Sequence, residues 1–68
     1  MFNKEKFGTS LKAFRGDRSL RDFGKEVEIS AATLSRIENG NLPDVNSLCK
    51  ILVYTGWDYA DFLTNKNK

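Results

Sequence analysis

The sequence predicts an all-α fold, a bundle of five short helices. Two observations support it. Apolar residues recur at helical spacing, and sharp stop and cap signals separate the segments. At 68 residues the chain is too short for two domains, so we expect residues 1–68 to form a single domain.

Helices 1, 2 and 3 are predicted over residues 4–15, 20–27 and 31–38. In each, apolar residues lie three or four positions apart, which is the stripe that an amphipathic helix buries. These residues are Phe7, Leu11 and Phe14 in helix 1, Leu20, Phe23 and Val27 in helix 2, and Leu34 and Ile37 in helix 3. Ser19 and Ser30 stand where an N-cap hydroxyl would begin helices 2 and 3.

Helix 4 is predicted to begin at Asp44, whose charge suits a helix N-terminus, and to end before Gly56. A short fifth helix follows, capped by Asp58. The residues expected to face inward are Val45, Leu48, Cys49 and Leu52 in helix 4 and Tyr59, Phe62 and Leu63 in helix 5. Cys49 is expected to be a small buried hydrophobe. Residues 64–68 have nothing apolar to bury and are expected to fray.

Composition argues against several classes of function. The chain has no histidine and a single cysteine, Cys49, so it can form no internal disulfide, and it cannot supply the four cysteine or histidine ligands of a structural zinc site. The missing histidine also removes most histidine-based catalysis, and no glycine-rich phosphate loop is present. We therefore predict that the protein is not an enzyme and has no cofactor, no metal site and no catalytic residues.

Two features indicate where the protein works. No apolar run approaches the ~18–20 residues of a membrane span, and the N-terminal residues lack an apolar signal region. A single unpaired cysteine fits a reducing compartment. We therefore expect a cytoplasmic protein that makes no contact with a membrane.

The positive charge is unevenly distributed. The net charge is +2, and residues 1–38 hold eight Lys and Arg against six Asp and Glu, whereas residues 39–68 hold three of each. The excess therefore lies in the N-terminal half, which favours a polyanionic partner on that side.

Residues 20–39 carry the functional signal. Two helices of two turns each are joined by a tight turn, and their crossing needs a small residue where the backbones approach, a need that Gly24 meets. With the apolar residues turned inward, the outer face of helix 3 consists of Ala31, Ala32, Thr33, Ser35 and Arg36. The side chains of this face are small or polar, and one of them carries a positive charge, so the helix can enter the ~12 Å major groove of DNA without clashing.

The segment from Ser30 to Gly40, Ser-Ala-Ala-Thr-Leu-Ser-Arg-Ile-Glu-Asn-Gly, resembles the recognition-helix segment of the Xre/Cro family of phage and bacterial repressors. The resemblance covers about residues 7–63. Its downstream part consists of Pro43, Leu48, Ile51, Gly56 and Phe62-Leu63. It implies a lambda-repressor-like fold in which helices 2 and 3 form a helix-turn-helix. The implied function is a sequence-specific DNA-binding transcription regulator, expected to be a repressor of bacterial, phage or prophage type.

The resemblance also implies roles for individual residues. Helix 3 would read base edges with Ala31, Ala32, Ser35 and Arg36. Arg36 is the strongest candidate, because a guanidinium can bond guanine O6 and N7 together. The implied contacts to the DNA backbone are Ser19, Arg21, Lys25, Ser30, Thr33, Asn39 and Asn41. Arg15 and Glu38 would form an internal ion pair that braces helix 1 against helix 3.

Three residues depart from the family pattern in helix 2 and the turn that follows. Leu20 stands where glutamine often contacts DNA, and Gly24 stands where alanine is usual. Glu28 occupies a turn position where glycine is usual. If the turn requires a positive φ there, Glu28 is strained, because a side chain disfavours that conformation.

One helix with one long basic side chain offers few contacts, so we expect a homodimer on an inverted repeat, with the two copies spaced ~34 Å apart. The aromatic residues that could supply a dimer contact are Phe2, Tyr59 and Phe62. An alternative is an antitoxin-like or other protein-interaction module of the same fold, with a toxin as partner. The nearly neutral net charge and the alanines of helix 3 are compatible with this alternative.

Overall fold

A computed structural model describes residues 1–64, which form four α-helices and one short 3-10 helix. The helices are α1 (Lys4–Arg15), α2 (Leu20–Val27), α3 (Ala31–Glu38) and α4 (Val45–Thr55). This part of the chain contains no strand, so the all-α class is confirmed, and the first three helices have the predicted bounds. None of the helices among residues 1–64 is long and apolar enough to cross a membrane.

The predicted fifth α-helix is wrong. Residues Tyr59–Phe62 form a 3-10 helix of four residues, so the described bundle has four α-helices. Asp58 caps it as predicted by accepting the N–H of Ala60 at 3.1 Å. The segment is too short for a series of α-helical hydrogen bonds, each of which joins an N–H to the carbonyl four residues earlier. It ends instead with a 3-10 hydrogen bond, in which the N–H of Leu63 donates to the carbonyl of Ala60, three residues earlier, at 3.2 Å.

The predicted N-caps of α2 and α3 are confirmed. Ser19 Oγ accepts the N–H of Asp22 at 3.0 Å, and Ser30 Oγ accepts the N–H of Thr33 at 3.2 Å. Each hydroxyl satisfies a backbone donor that has no partner inside its helix. The start of each of these two helices is therefore determined by the side chain that directly precedes it.

Asp44 caps α4 as predicted. Its carboxylate accepts the Ser47 hydroxyl at 2.7 Å and the Ser47 N–H at 3.2 Å, and these bonds lower the pKa of Asp44. Ser47 is buried, with 7% of its surface exposed, and the bond to Asp44 satisfies its hydroxyl. The same carboxylate thus begins the helix and allows a polar side chain to be buried there.

The hydrophobic core collects side chains from all four α-helices, the α2–α3 turn and the 3-10 helix. Its buried apolar members are Phe7, Leu11, Phe23, Val27, Ile29, Leu34, Ile37, Ile51 and Phe62. Within residues 1–64 no buried side-chain nitrogen or oxygen lacks a hydrogen-bond partner. Most of the residues that sequence periodicity assigned to α1, α2 and α3 face this core.

Three residues predicted to face inward from α1 and α4 are exposed. Phe14 is 38% exposed and Val45 is 75% exposed, and Cys49 also lies on the surface. In α4 the buried side is formed by Ser47 and Ile51, with Leu48 and Leu52 half-buried and packed beside them. Val45 and Cys49 do not lie on that side of the helix. The prediction therefore placed the inward-facing side of α4 at the wrong angle about the helix axis. Tyr59 and Leu63 are likewise 43% exposed.

Arg18 holds the short link between α1 and α2. Its guanidinium lies 4.7 Å from the centre of the Phe23 ring, donates to the Phe14 carbonyl at 2.8 Å and bonds Glu26 at 2.8 Å. Glu26 also accepts the hydroxyl of Tyr54, and this bond raises the pKa of Tyr54. A single arginine thus ties the link to α1 and α2, and through Glu26 to α4.

The two ends of the described chain lie side by side. Phe2 pairs with Leu63 in an isolated antiparallel bridge, and the Asn3 N–H donates to the Phe62 carbonyl at 2.6 Å. Thr64 donates its N–H to the Met1 carbonyl at 2.6 Å, so it is held rather than frayed. The predicted fraying of residues 65–68 lies outside the described residues.

Two glycines allow close backbone contacts at the ends of α3. A Cβ on Gly24 would overlap the carbonyl oxygen of Ile29, immediately before α3. A Cβ on Gly8, in α1, would overlap the carbonyl oxygen of Ile37 near the other end of α3. The close approach predicted for Gly24 is therefore present, and Gly8 makes a second one that the sequence analysis did not identify.

Glu28 is the only residue other than glycine with a positive φ among residues 1–64, at 63°. It ends α2 in the left-handed conformation, and its N–H bonds the Gly24 carbonyl. This conformation brings the side chain of an L-residue close to its own backbone, at a cost of about 1–2 kcal/mol. The strain expected at this position is present.

Arg15 and Glu38 form a bidentate ion pair between α1 and α3. Arg15 Nε lies 2.8 Å from Glu38 Oε2, and a second nitrogen lies 2.9 Å from Oε1. The side chains are only 16% and 6% exposed, and the bond to Glu38 raises the pKa of Arg15. The structure thus brings together the two residues expected to brace helix 1 against helix 3.

Replacing Gly24 by alanine should lower the free energy of unfolding by about 1–3 kcal/mol, because the methyl group must displace the Ile29 carbonyl. Alanine in place of glycine normally stabilises a helix, so a loss of stability would itself indicate that the methyl group overlaps the Ile29 carbonyl. Urea denaturation would measure the change. Lys25→Ala, on the exposed side of the same helix, should change stability by less than about 0.5 kcal/mol. A stabilised Gly24→Ala variant would contradict the close approach.

Glu28→Gly should raise the free energy of unfolding by about 0.5–1 kcal/mol. Relief of the left-handed strain outweighs the extra flexibility that glycine gives to the unfolded chain. Glu28→Gln removes the charge but keeps the strain, so it should leave stability nearly unchanged. Thermal unfolding of the three proteins distinguishes the two effects, and equal stabilisation by both variants would point to charge instead.

Glu38→Gln should cost about 2 kcal/mol, because it leaves the enclosed Arg15 guanidinium without its charged acceptor. Glu5→Gln is a matched control, because the carboxylate of Glu5 pairs with Lys4 on an exposed surface, where solvent screens the pair, so this variant should leave the free energy of unfolding nearly unchanged. Chemical denaturation measures both. Equal losses in the two variants would show that the Arg15–Glu38 pair does not stabilise the fold.

Candidate nucleic-acid interface

The outer face of α3 is the surface on which the predicted base-reading residues lie. Ala32 and Arg36 are exposed, and Ala31 and Ser35 are half-buried. The opposite side of the helix is anchored in the core by the buried side chains of Leu34 and Ile37. The four residues therefore share an accessible surface of small side chains with one long cationic side chain.

Arg36 is the only one of the four with a charge. Its side chain makes no hydrogen bond or salt bridge with any other part of residues 1–64. Its backbone carbonyl, in contrast, accepts the Asn39 N–H at 3.2 Å and two bonds from Asn41. The backbone at Arg36 is thus held while the guanidinium is left to bind an external acceptor.

The basic residues of the described chain differ in whether they are paired. Arg15 and Arg18 are engaged with Glu38 and Glu26. The three cations expected to meet DNA form no ion pair within residues 1–64, and they are Arg21, Lys25 and Arg36. Cations that are unpaired within the described residues are therefore available on α2 and α3, and the carboxylate of Asp22 lies among them in the first turn of α2.

A surface depression lies between α2 and α3. Its lining includes the predicted backbone-contact residues Arg21, Lys25 and Ser30 together with the predicted base-contact residue Ala31. Glu28 lines it as well, so one carboxylate lies among the cations. The structure brings these four predicted residues to one concave surface, and it adds an acidic residue that would weaken attraction to a polyanion.

The three predicted backbone-contact hydroxyls differ in what they can still donate. Ser19 Oγ accepts the Asp22 N–H, which leaves its own proton available. Ser30 Oγ accepts the Thr33 N–H and donates to Thr33 Oγ1 at 2.9 Å, so its proton is already engaged. The proton of Thr33 remains available. Of these two hydroxyls, the one that can still donate a hydrogen bond to an external oxygen is therefore that of Thr33.

Asn39 and Asn41 follow α3 and end it. The Asn39 N–H bonds the carbonyls of Ser35 at 3.0 Å and Arg36 at 3.2 Å. Asn41 donates both its backbone N–H and its side-chain Nδ2 to the Arg36 carbonyl, each at 3.0 Å. The backbone N–H groups of both residues and the side-chain amide of Asn41 are therefore used inside the protein, and the Asn39 side chain remains exposed.

The predicted dimer contacts lie mostly inside the monomer. Phe62 is 4% exposed and packs edge-on against Phe7 at 4.9 Å between ring centres. Phe2 is half-buried, 5.3 Å from Phe7 and stacked on Tyr59 at 5.7 Å. The aromatic cluster completes the core of one copy, so Phe62 is unavailable to a second copy. Of the three predicted residues, Tyr59 alone is exposed.

Two residues near α3 were missed by the sequence analysis. Leu42 is 67% exposed and lines a second depression with Thr33 and Arg36 at the end of α3. It lies between helices and has no periodic partner, so no sequence signal identifies it. Gly8 had a signal, since a glycine inside a helix is unfavourable unless close packing requires it.

Of the comparisons with known proteins, the one with protein families gives a match. No curated protein and no solved structure gives a significant match to the chain. The family model described as Helix-turn-helix matches residues 11–62, which include all of α2, α3 and α4. The match covers most of the chain and confirms the resemblance stated from residues 30–40. The chain therefore belongs to the Xre/Cro-type helix-turn-helix family of DNA-binding regulators.

Proposed function

We propose that this protein is a sequence-specific transcription regulator, acting as a repressor, that reads the DNA major groove with α3. The observation that carries the proposal is the exposed guanidinium of Arg36, which has no ion pair or side-chain hydrogen bond within residues 1–64, on a helix whose other outward side chains are small. Small neighbours let the helix backbone approach the bases, and the guanidinium can then bond guanine O6 and N7.

Contacts to phosphate would position the helix. Arg21 and Lys25 supply positive charge that no carboxylate of residues 1–64 pairs with. The Ser19 hydroxyl supplies a donor at the N-terminus of α2, where the helix dipole favours an anion. Thr33 adds a hydroxyl on α3. These contacts fix the orientation of the protein on the duplex but carry no sequence information, so discrimination depends on Arg36 and its small neighbours.

A homodimer on an inverted repeat fits the small number of contacts available to one copy. One α3 offers a single long side chain that can read bases. A typical protein–DNA interface buries about 1,000–2,500 Å² of protein surface, and single small modules reach about 600–1,000 Å². Two copies spaced about one DNA turn apart would double the contact surface on one face of the duplex.

In vitro selection from random duplex DNA should yield a preferred site, and Arg36→Ala should weaken binding to it by about 1–3 kcal/mol while relaxing the preference at one base pair. Lys25→Ala is the matched comparison, because it removes the same charge from α2. It should weaken all sequences equally and lower the salt dependence by about one counterion. Fluorescence anisotropy at several salt concentrations measures both variants.

Two results would contradict the proposal. If Arg36→Ala changed neither the affinity nor the base preference, Arg36 would not read a base. If the protein selected no sequence and its DNA binding did not weaken as salt rises, phosphate contacts would be absent, since neutralising phosphates releases counterions. A stable complex with a protein toxin under those conditions would favour the antitoxin-like module instead.

A further inference from the structure

α3 ends in a tight turn whose N–H groups bond back into the helix. The Gly40 N–H donates to the Ile37 carbonyl at 3.0 Å. The Asn41 N–H donates to the Arg36 carbonyl, also at 3.0 Å. Gly40 has a φ of 95°, which turns the chain back toward the helix and which glycine adopts without a steric cost. This pair of bonds is the Schellman motif, a common way of ending an α-helix.

The side chain of Asn41 adds a bond that this motif does not require. Its Nδ2 donates to the same Arg36 carbonyl at 3.0 Å, so one asparagine supplies two donors to one acceptor. In a Schellman motif, the residue at the position of Asn41 often makes an apolar contact with the side chain at the position of Arg36. Here both residues are polar, and the asparagine bonds the backbone instead. The Arg36 side chain therefore stays exposed on a backbone that Asn41 bonds twice.

Arg36 lies in the last turn of α3, the part of a helix that opens most readily. The carbonyls of a last turn have no partner inside the helix, and helix ends open with free energies near zero. The buried side chain of Ile37 anchors this turn to the core, whereas Arg36 and Asn41 are both exposed. The bond from Asn41 Nδ2 therefore stabilises the turn at the residue whose side chain is proposed to read a base.

The two asparagines after α3 differ in what their side chains do. The family resemblance implies that both contact the DNA backbone. The Asn41 side chain is directed back into the turn by its bond to the Arg36 carbonyl. The Asn39 side chain is exposed and makes no hydrogen bond within residues 1–64, so it remains available to a phosphate. The geometry therefore supports a contact with DNA at Asn39 and a role inside the protein at Asn41.

We propose that Asn41 is a positioning residue for base reading, because its bond to the Arg36 carbonyl keeps the last turn of α3 closed and the guanidinium in place. The proposal rests on the DNA-binding function proposed above. The contacts of α3 with the rest of the fold set the direction in which Arg36 points, and Asn41 limits how often the last turn opens. A turn that is open part of the time lowers the affinity in proportion to its closed fraction. The loss falls on DNA that Arg36 reads.

Hydrogen exchange of the full chain without DNA tests whether Asn41 closes the turn. Asn41→Ala should lower the protection of the Gly40 N–H by about three- to tenfold, because the turn loses one ordinary hydrogen bond. Asn39→Ala is the matched control, since it removes the same amide from a side chain that makes no hydrogen bond within residues 1–64. It should leave the protection within about twofold of the native value. Neither asparagine has a positive φ, so alanine fits the backbone at both positions.

Fluorescence anisotropy with the selected duplex tests whether the closed turn serves base reading. Asn41→Ala should weaken binding to the selected site by about two- to fivefold, and should leave binding unchanged where the guanine read by Arg36 is replaced. In the Arg36→Ala background the same substitution should change the affinity by less than about twofold, since the two residues act through one contact. Asn39→Ala should weaken both duplexes equally and add to the effect of Arg36→Ala, as a phosphate contact does.

Three results for Asn41→Ala would overturn the proposal: unchanged protection of Gly40, lower protection without a change in base preference, or equal weakening of both duplexes. The second would make Asn41 a structural residue only, and the third would make it a phosphate contact. Each would leave the proposed function standing, provided that Arg36→Ala relaxes the base preference. If Arg36→Ala left that preference unchanged, the proposed function would fail, and the role of Asn41 in base reading would fail with it.

Discussion

The position of α3 depends on two close backbone contacts, one at each end of the helix. Gly24 lies against the Ile29 carbonyl just before α3 begins, and Gly8 lies against the Ile37 carbonyl near its end. Neither contact leaves room for a side chain. The Arg15–Glu38 ion pair adds a third link from α1 to the end of the helix. With both ends held, the outward direction of Arg36 follows from the scaffold and does not require any contact of its own.

This arrangement separates structural charge from available charge. Arg15 and Arg18 neutralise Glu38 and Glu26 and hold the helices together. The cations without an ion pair among residues 1–64 include those of α2 and α3 that face outward. The net charge of +2 does not reveal this separation, because each internal ion pair removes one cation and one anion. Asp22 in the first turn of α2 and Glu28 in the depression between α2 and α3 partly offset the outward-facing cations.

The helix bounds and N-caps could be predicted because they depend on neighbouring residues. A serine or aspartate before an apolar stripe satisfies the first free N–H groups locally, and the stripe's spacing identifies the buried side. The direction of α4 about its own axis could not be predicted, because apolar residues occupy both sides of it. Val45 and Cys49 are therefore exposed while Ser47 is buried. The pairing of Phe2 with Leu63 joins residues far apart in the chain and has no local signal.

The left-handed conformation of Glu28 has a consequence at the level of the gene. Every glutamate codon becomes a glycine codon by a single A-to-G change in its second base. A single transition mutation would therefore replace the strained glutamate by glycine, and the fold would gain the stability that the strain now costs. The same mutation would remove the carboxylate from the depression between α2 and α3, so one base change would alter both the stability of the fold and the charge of this surface.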